Sequence, residues 1–469
     1  MLSIGKIRQV SAGEILIEEG SREPIFVVLL EGVCQVHKLT SERGLNQFRE
    51  VMLRQVIAPT IFGEMSFLEN NIHSTSVITI TPCQIWELKA ESFQQFLESD
   101  VNLHLFLTRS LNQVVVQRLV ETETALAATL TPKDTAYLNR NETSLDEKVQ
   151  QDIIEAIRNE PLSRYPDALS QDLVKKLSEY VKIKSEWLII CPGSALALDI
   201  IARAYISPAK KVTIVFPTFE VFPHCARLQK ASIDAYSYPD PFKVDVADFL
   251  RHTDPASALI YIANPGNPTG LYHTLKEIAQ IADERPQALF VIDEAYIEFG
   301  GESAISLLQH NPEQFILTRT LSKAFGLAGL RIGYIIAHPK LLAPISQFLI
   351  PYSTSRIAQI AACSILSNLD QIVAQQTIYE QRERMAFELR ALGYRVEVGP
   401  TNFILVFVSE PNKVLSFFRR HNVLVNNSSS SHLGNCVRIS VVNETATSKV
   451  IALAKQLKEV LVGQLINMA

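Results

Sequence analysis

"TLSKAFGLAGLRIGY", residues 320–334, sets a lysine and an arginine in a run of small and apolar side chains. Lys323 and Arg331 stand eight residues apart, with Gly326, Gly329 and Gly333 around them. A lysine shielded from water has a lowered pKa and becomes an amine able to attack carbonyls. Alone, the run reads equally as the basic helix face of an ordinary domain, so its surroundings decide. "KVTIVF" (211–216), "ASALIYIA" (256–263), "ALFVIDEAY" (288–296) and "QFILTRT" (314–320) are strand-like apolar runs, separated by helical stretches such as "TLKEIAQIADERP" (274–286). That alternation predicts a mostly parallel sheet covered by helices.

Ligands collect at the carboxyl ends of such strands. Here each end carries a residue of distinct chemistry. "ALIYIA" runs into "NPGNPTG" (264–270), whose prolines and glycines force a tight turn that presents Asn267. "LFVI" ends on Asp293 and, one turn later, Tyr296; "FILTRT" leads to Lys323; "VTIVF" leads to Phe219, a flat apolar surface. A carboxylate, a phenol, an amide, a lysine, an arginine and an aromatic ring are what pyridoxal phosphate requires. It takes an amine for covalent attachment and an acid for its ring nitrogen. It also takes a partner for its phenolic oxygen, a stacked face and a phosphate cradle.

"NPGNPTG", "VIDEAYIEF", "TLSKAFGLAGLRIGY" and "CVRISV" (436–441) follow one another in the order of a known family. On these motifs residues 137–469 resemble a fold-type I, class I/II aminotransferase dependent on pyridoxal phosphate, most of all the histidinol-phosphate aminotransferase branch. The resemblance implies an α/β fold, a mostly parallel sheet covered by helices, with a smaller C-terminal α/β subdomain. It implies that Lys323 is the covalent anchor of the cofactor and the base that moves the α-proton. Asp293 would hold the ring nitrogen protonated. Asn267 and Tyr296 would bond the phenolic oxygen, and Phe219 would stack on the ring. Arg331, Thr320 and Ser322 would bind the phosphate, together with Ser194 and Ala195 at the start of a helix. Tyr165, in "SRYPD" (163–167), would reach the cofactor phosphate of a partner subunit, which implies a homodimer. Arg438 would take the substrate carboxylate. The expected substrates are a small amino donor, an amino acid or an amino-alcohol phosphate-like compound, and an oxo acid. A decarboxylase of the threonine-phosphate type and a non-catalytic sensor of the cofactor or of an amino compound are the alternatives. Two positions depart from the family: "GSALALD" (193–199) lacks its acidic pair, and Asn426 stands where relatives carry an arginine for the substrate side group.

The first half has another grammar. From Gly13 to Glu87 short β-rich runs alternate with turns, which predicts a small sandwich or barrel. A helical stretch follows, with Leu111, Val114, Val115, Leu119 and Val120 on one apolar stripe. The expected division is 1–126, a linker at 127–136 containing "AATLTPKD", and 137–469. Gly13, Gly20 and Gly32, "FGEMSFLENNIHSTSVIT" (62–79) and the long helix resemble a cyclic-nucleotide-binding domain of the catabolite-activator type, a β-roll with a helix behind it. The resemblance puts Glu64 on the ribose hydroxyl and His73 where the family has a phosphate-binding arginine. A neutral imidazole lacks the charged fork of guanidinium, so the implied partner, a cyclic nucleotide, is held weakly or no longer held. The domain then regulates or dimerises.

Composition excludes other classes. Hydrophobic residues make up 47% and charged residues 20%, as in globular proteins with ample core, and the formal net charge of −5 gives no electrostatic footprint for DNA. No apolar run approaches the roughly 18 residues of a membrane span, and the first residues lack the apolar core of a secretory signal. Six cysteines without C-x-x-C spacing and ten histidines without an H-x-x-x-H pair argue for no metal and for reduced thiols in a cytoplasmic protein.

Overall fold

The computed structural model describes residues 5–21, 25–41, 48–58, 60–63, 73, 75–89, 135–158, 160–161, 163–369 and 374–466. They belong to two compact units, Met1–Thr131 and Pro132–Ala469.

In the first unit the described residues form β1 (Lys6–Val10), β2 (Ile15–Ile17), β3 (Ile25–Glu31), β4 (Val33–Ser41), β5 (Phe48–Ile57), β6 (Thr60–Phe62), β7 (Ser76–Thr79) and β8 (Cys83–Lys89). They make two four-stranded sheets, ordered β1-β8-β3-β6 and β2-β7-β4-β5, with every pair antiparallel. Alternate residues turn inward, as a period of two requires, so Ile17, Val27, Leu29, Val36, Val77 and Ile85 share one core. His73 is buried, and its main chain is clipped to the 20–21 turn by Gly20 N–H donating to its carbonyl (2.8 Å) and its own N–H donating to Ser21 O (2.9 Å). Glu64 and the helical stripe at 111–120 lie outside the described residues.

The second unit is built on a seven-stranded sheet. Its members are β10 (Leu188–Cys191), β11 (Lys211–Phe216), β12 (Ser232–Ser237), β13 (Leu259–Ala263), β14 (Leu289–Asp293), β15 (Phe315–Thr320) and β16 (Gly333–Ala337), in the order β10-β16-β15-β14-β13-β11-β12. Six strands run in one direction, and β16 runs antiparallel to both its neighbours. The apolar runs expected to be strands are β11, β13, β14 and β15. Their continuous hydrophobicity follows from helices on both faces. Ile262, Ile292 and Leu317 feed one core and Tyr261, Val291 and Ile316 the other. The helix Leu275–Asp283 starts at a capping box in which Thr274 and Glu277 satisfy each other's backbone N–H.

A smaller antiparallel sheet, β17 (Arg395–Val398), β18 (Phe403–Phe407), β21 (Cys436–Ser440) and β20 (Asn426–Asn427), forms the C-terminal subdomain with the helices Ala374–Ala391, Pro411–Arg420 and Glu444–Ile466. β9 (Ala136–Tyr137) pairs in parallel with β19 (Val423–Leu424), so the first described residues of the second unit are pinned to its last subdomain. Among the described residues no helix is long and apolar enough to cross a membrane, and no cluster of three His, Cys, Asp or Glu side chains is arranged to hold a metal ion.

Candidate active site

The parallel strands deliver their carboxyl ends side by side. Register places Ala263, Asp293 and Thr318 in adjacent positions of β13, β14 and β15. Because successive side chains on a strand face opposite ways, Asp293 and Glu294 see different surroundings. Glu294 accepts from Arg319 Nε (2.9 Å), from the Ser303 hydroxyl (2.8 Å) and from Ala304 N–H, so its charge is met by a buried cation. Asp293, only 4% exposed, accepts, among the described residues, from the hydroxyls of Thr318 (3.0 Å) and Tyr261 (3.2 Å) and from Ala295 N–H. No cation among the described residues pairs with it, and burial pushes its carboxyl up to about 6. This is a negative charge built without its positive partner.

Lys323 follows β15 in a turn. Its Nζ donates to Arg140 O (2.8 Å) and lies 5.8 Å from the centre of the Tyr296 ring. By area the side chain is half-buried, yet the ammonium end sits deep enough that burial is the leading cause of a pKa lowered to about 8. The positive charges of Arg438 and Arg331 add to that, and Glu142 opposes it. Tyr296 is buried and accepts from Asn141 Nδ2 (2.9 Å).

Arg438, on β21, is 9% exposed and donates to Asn267 Oδ1 (2.5 Å) and to Asn139 O (2.9 Å). Its buried Nε has no partner, and no carboxylate among the described residues pairs with it. A guanidinium in this state is a site for an anion.

The third cation, Arg331, adopts a left-handed backbone (φ 54°) that folds its side chain back against Ser322 Oγ (3.3 Å) and Ala328 O (3.1 Å). It meets the start of the helix Ser194–Tyr205, whose N-cap Gly193 offers no capping side chain, so its first N–H groups are unsatisfied. Gly193 has φ +87°, and a Cβ there would sit 2.5 Å from Arg331 Nη2. A Cβ on Gly333 would sit 2.2 Å from Ser194 N. Glycines therefore keep open a cradle of guanidinium, hydroxyl and helix N-terminus, the arrangement that holds phosphate. Thr320 shapes it, because its hydroxyl accepts from Ser322 N–H (3.0 Å) and donates to Ile332 O (3.1 Å).

The structure thus gathers Lys323, Tyr296, Asn267, Arg438, Arg331 and Ser322 through direct contacts or mutual charge, with Asp293 at the neighbouring strand end. Phe219, 39% exposed, lies just past the end of β11. Ala195 is the second residue of the Ser194–Tyr205 helix. Tyr165 is not brought to these residues: it is 81% exposed and its ring lies 5.1 Å from that of Tyr352. Sequence reasoning missed Asn139, Arg140, Asn141, Tyr261, Thr318 and Ser440. Thr318 had a readable signal, a polar residue inside a run of buried apolar ones. Asn139–Asn141 had none, because they are held at the site by the pairing of β9 with β19 and by bonds to Ser440 and Asn402, all distant in sequence. Asn426, directly opposite Arg438 in the β20–β21 ladder, sits beside the anion site and is neutral.

An acid without a cation, a shielded amine and an open phosphate cradle fit the cationic ring nitrogen, the carbonyl and the phosphate of pyridoxal phosphate. Residues 134–454 match the family "Aminotransferase class I and II", and residues 7–100 match "Cyclic nucleotide-binding domain". A histidinol-phosphate aminotransferase of Chlorobaculum tepidum is 34% identical over 68% of this chain and 93% of its own. The histidinol-phosphate aminotransferase of Sinorhizobium meliloti, solved in complex with pyridoxal-5'-phosphate, shares the fold with a TM-score of 0.63, at 24% identity over 70% of this chain and 91% of that one. L-threonine-O-3-phosphate decarboxylase from Porphyromonas gingivalis shares it with a TM-score of 0.60, at 20% identity over 69% and 99%. A match over most of the chain, in the unit that holds these residues, makes this protein a member of the class I and II aminotransferases, pyridoxal-phosphate-dependent enzymes, with a cyclic-nucleotide-binding domain in front.

Proposed function

We propose that residues 137–469 transfer an amino group from an amino acid or amino-alcohol phosphate-like donor to an oxo acid. Residues 1–126 then serve as a regulatory or dimerising module. The observation that carries the reading is the pair of buried charges without counter-ions among the described residues, Asp293 and Arg438, together with Lys323, which feels the charge of Arg438 and has a pKa lowered to about 8. When bound, pyridoxal phosphate supplies a carbonyl that bonds amines and a ring that accepts the electron pair of a broken C–H bond. The chain supplies the rest. Lys323 Nζ holds the cofactor and then carries the proton to and from the substrate α-carbon. Asp293 keeps the ring nitrogen protonated. Asn267 and Tyr296 bond the phenolic oxygen, with Tyr296 oriented by Asn141. Phe219 covers the ring. Arg331, Ser322, the Thr320 turn and the N–H groups at Ser194 and Ala195 hold the phosphate, and Arg438 orients the substrate carboxylate.

The active form in this reading is a homodimer in the cytoplasm. Tyr165, Leu169, Ile350 and Tyr352 are exposed by 81%, 68%, 74% and 50%, and the two tyrosines are in ring contact, an apolar surface suited to a second copy. All six cysteines are free thiols, as a reducing compartment leaves them. A screen of amino donors against the dimeric fraction from sedimentation tests the proposal. A transaminase yields the oxo acid and the amine form of the cofactor, whereas release of carbon dioxide would point to a decarboxylase. Binding without product would point to a sensor.

The phosphate cradle has its own test. Gly193→Ala should cost roughly ten- to a hundredfold in affinity for pyridoxal phosphate, the loss of one or two charge-assisted bonds. Affinity for pyridoxal, which lacks the phosphate, should stay within a factor of about two, because that cradle contributes nothing to it. Equal losses for both ligands would remove the phosphate from this corner.

A further inference from the structure

Three consecutive residues enter the site from the start of the second unit. Asn139 O accepts from Arg438 Nη2 (2.9 Å), Arg140 O from Lys323 Nζ (2.8 Å), and Asn141 Nδ2 donates to Tyr296 (2.9 Å). The main chain there is fixed on both sides. Leu138 N–H donates to Leu424 O (2.8 Å), Ser440 N–H to Leu138 O (2.9 Å), Asn141 N–H to Ser440 Oγ (2.9 Å), and Asn402 Nδ2 to Asn141 O (3.1 Å). Arg140 is thus anchored by its backbone against the reactive amine while its side chain is exposed and pairs with no carboxylate among the described residues. Glu142, the acid of the same stretch, acts on the Lys323 ammonium. With its carbonyl oxygen 2.8 Å from Lys323 Nζ, the Arg140 Cα is close enough to the amine for a side chain of arginine length to reach the space beside it.

Arg331 sits in the phosphate cradle, Arg438 faces the α-carboxylate, and Asn426 beside it is neutral. Among the described residues, the guanidinium that neighbours the amine and pairs with no carboxylate, and so is free for a second anionic group on the substrate, is that of Arg140. We propose that Arg140 is a specificity-determining residue that recognises the anionic group at the far end of the substrate, a distal carboxylate or a phosphate. This rests on the transamination reading above. A solvent-exposed guanidinium gives charge-assisted bonds without burying a charge, so it raises affinity for dianionic substrates and leaves the proton transfer at the α-carbon alone.

The test uses the full-length holoenzyme. In Arg140→Ala, KM for a dicarboxylic oxo acid should rise roughly tenfold, with kcat within a factor of about two and KM for pyruvate unchanged. Arg140→Lys should recover part of the loss, and added salt should narrow the gap. A phosphate-bearing amino donor compared with its dephosphorylated form separates the two sources: a response confined to one arm assigns carboxylate or phosphate, and a response in both assigns a general anion site. Equal changes for mono- and dianionic substrates, or none, overturn the proposal. Inhibitory binding of a non-reacting dicarboxylate, followed by the absorbance of the bound cofactor, reads the same contrast without turnover. If wild type neither transaminates nor favours the dicarboxylate, both readings fail; if only turnover is missing, the anion site stands.

Discussion

Lys323→Ala is expected to lower transamination by at least about four decades while the protein still binds pyridoxal phosphate. General acid–base catalysis alone contributes up to about four decades, and loss of the covalent nucleophile adds to it. The holds that do not involve the amine, Arg331 with Ser322 and the helix N-terminus at one end and Asp293 at the other, are untouched, so affinity falls far less than rate. Borohydride reduction of wild type followed by peptide mass analysis should find the cofactor on Lys323, and in the variant on no residue. Attachment to any other lysine would refute the assignment. The lowered pKa adds a pH signature. Only the free amine attacks a carbonyl, so capture of the cofactor by the apo protein should accelerate as pH rises through about 8 and level off above it. An unshielded lysine would keep climbing toward its ordinary 10.5.

Asp293→Asn should cost about two to three decades in kcat, the range seen when a preorganised charge is removed from a developing one. The same change should make the apo protein more stable at neutral pH. Burial raises the carboxyl from its ordinary 3.8 to about 6, so folding takes up a proton between those values. Stability is therefore lost as pH rises from about 4 to about 6, and above that the charged acid costs about 3 kcal/mol. Asparagine carries no such cost. Thermal melts of the apo proteins should coincide near pH 4 and separate by pH 7 with the variant higher. Adding pyridoxal phosphate should close or reverse the gap, because only wild type gains a cationic partner. A variant that melts below wild type at pH 7 would contradict this account of the buried charge.

The sheet was legible because buried parallel strands are written as unbroken apolar runs, and "VTIVF", "LFVI" and "FILTRT" fall within β11, β14 and β15. Lys323, Asp293 and Asn267 were legible because each stands where such a run stops. Other contributors were not. Tyr261 and Thr318 reach Asp293 from neighbouring strands, a matter of register that strand composition does not specify. Asn141 and Ser440, 299 residues apart in sequence, meet by direct hydrogen bonds beside a β-pairing of two residues on each side. Strands that short leave no periodic pattern to read.

That short pairing gives the molecule a particular economy of connection. The first unit ends at Thr131, and Asn139, Arg140 and Asn141 already bond Arg438, Lys323 and Tyr296. The opening described residues of the second unit therefore serve as one wall of the candidate reaction chamber. A truncated enzyme that begins at Thr143 would keep every signature motif and lose that wall.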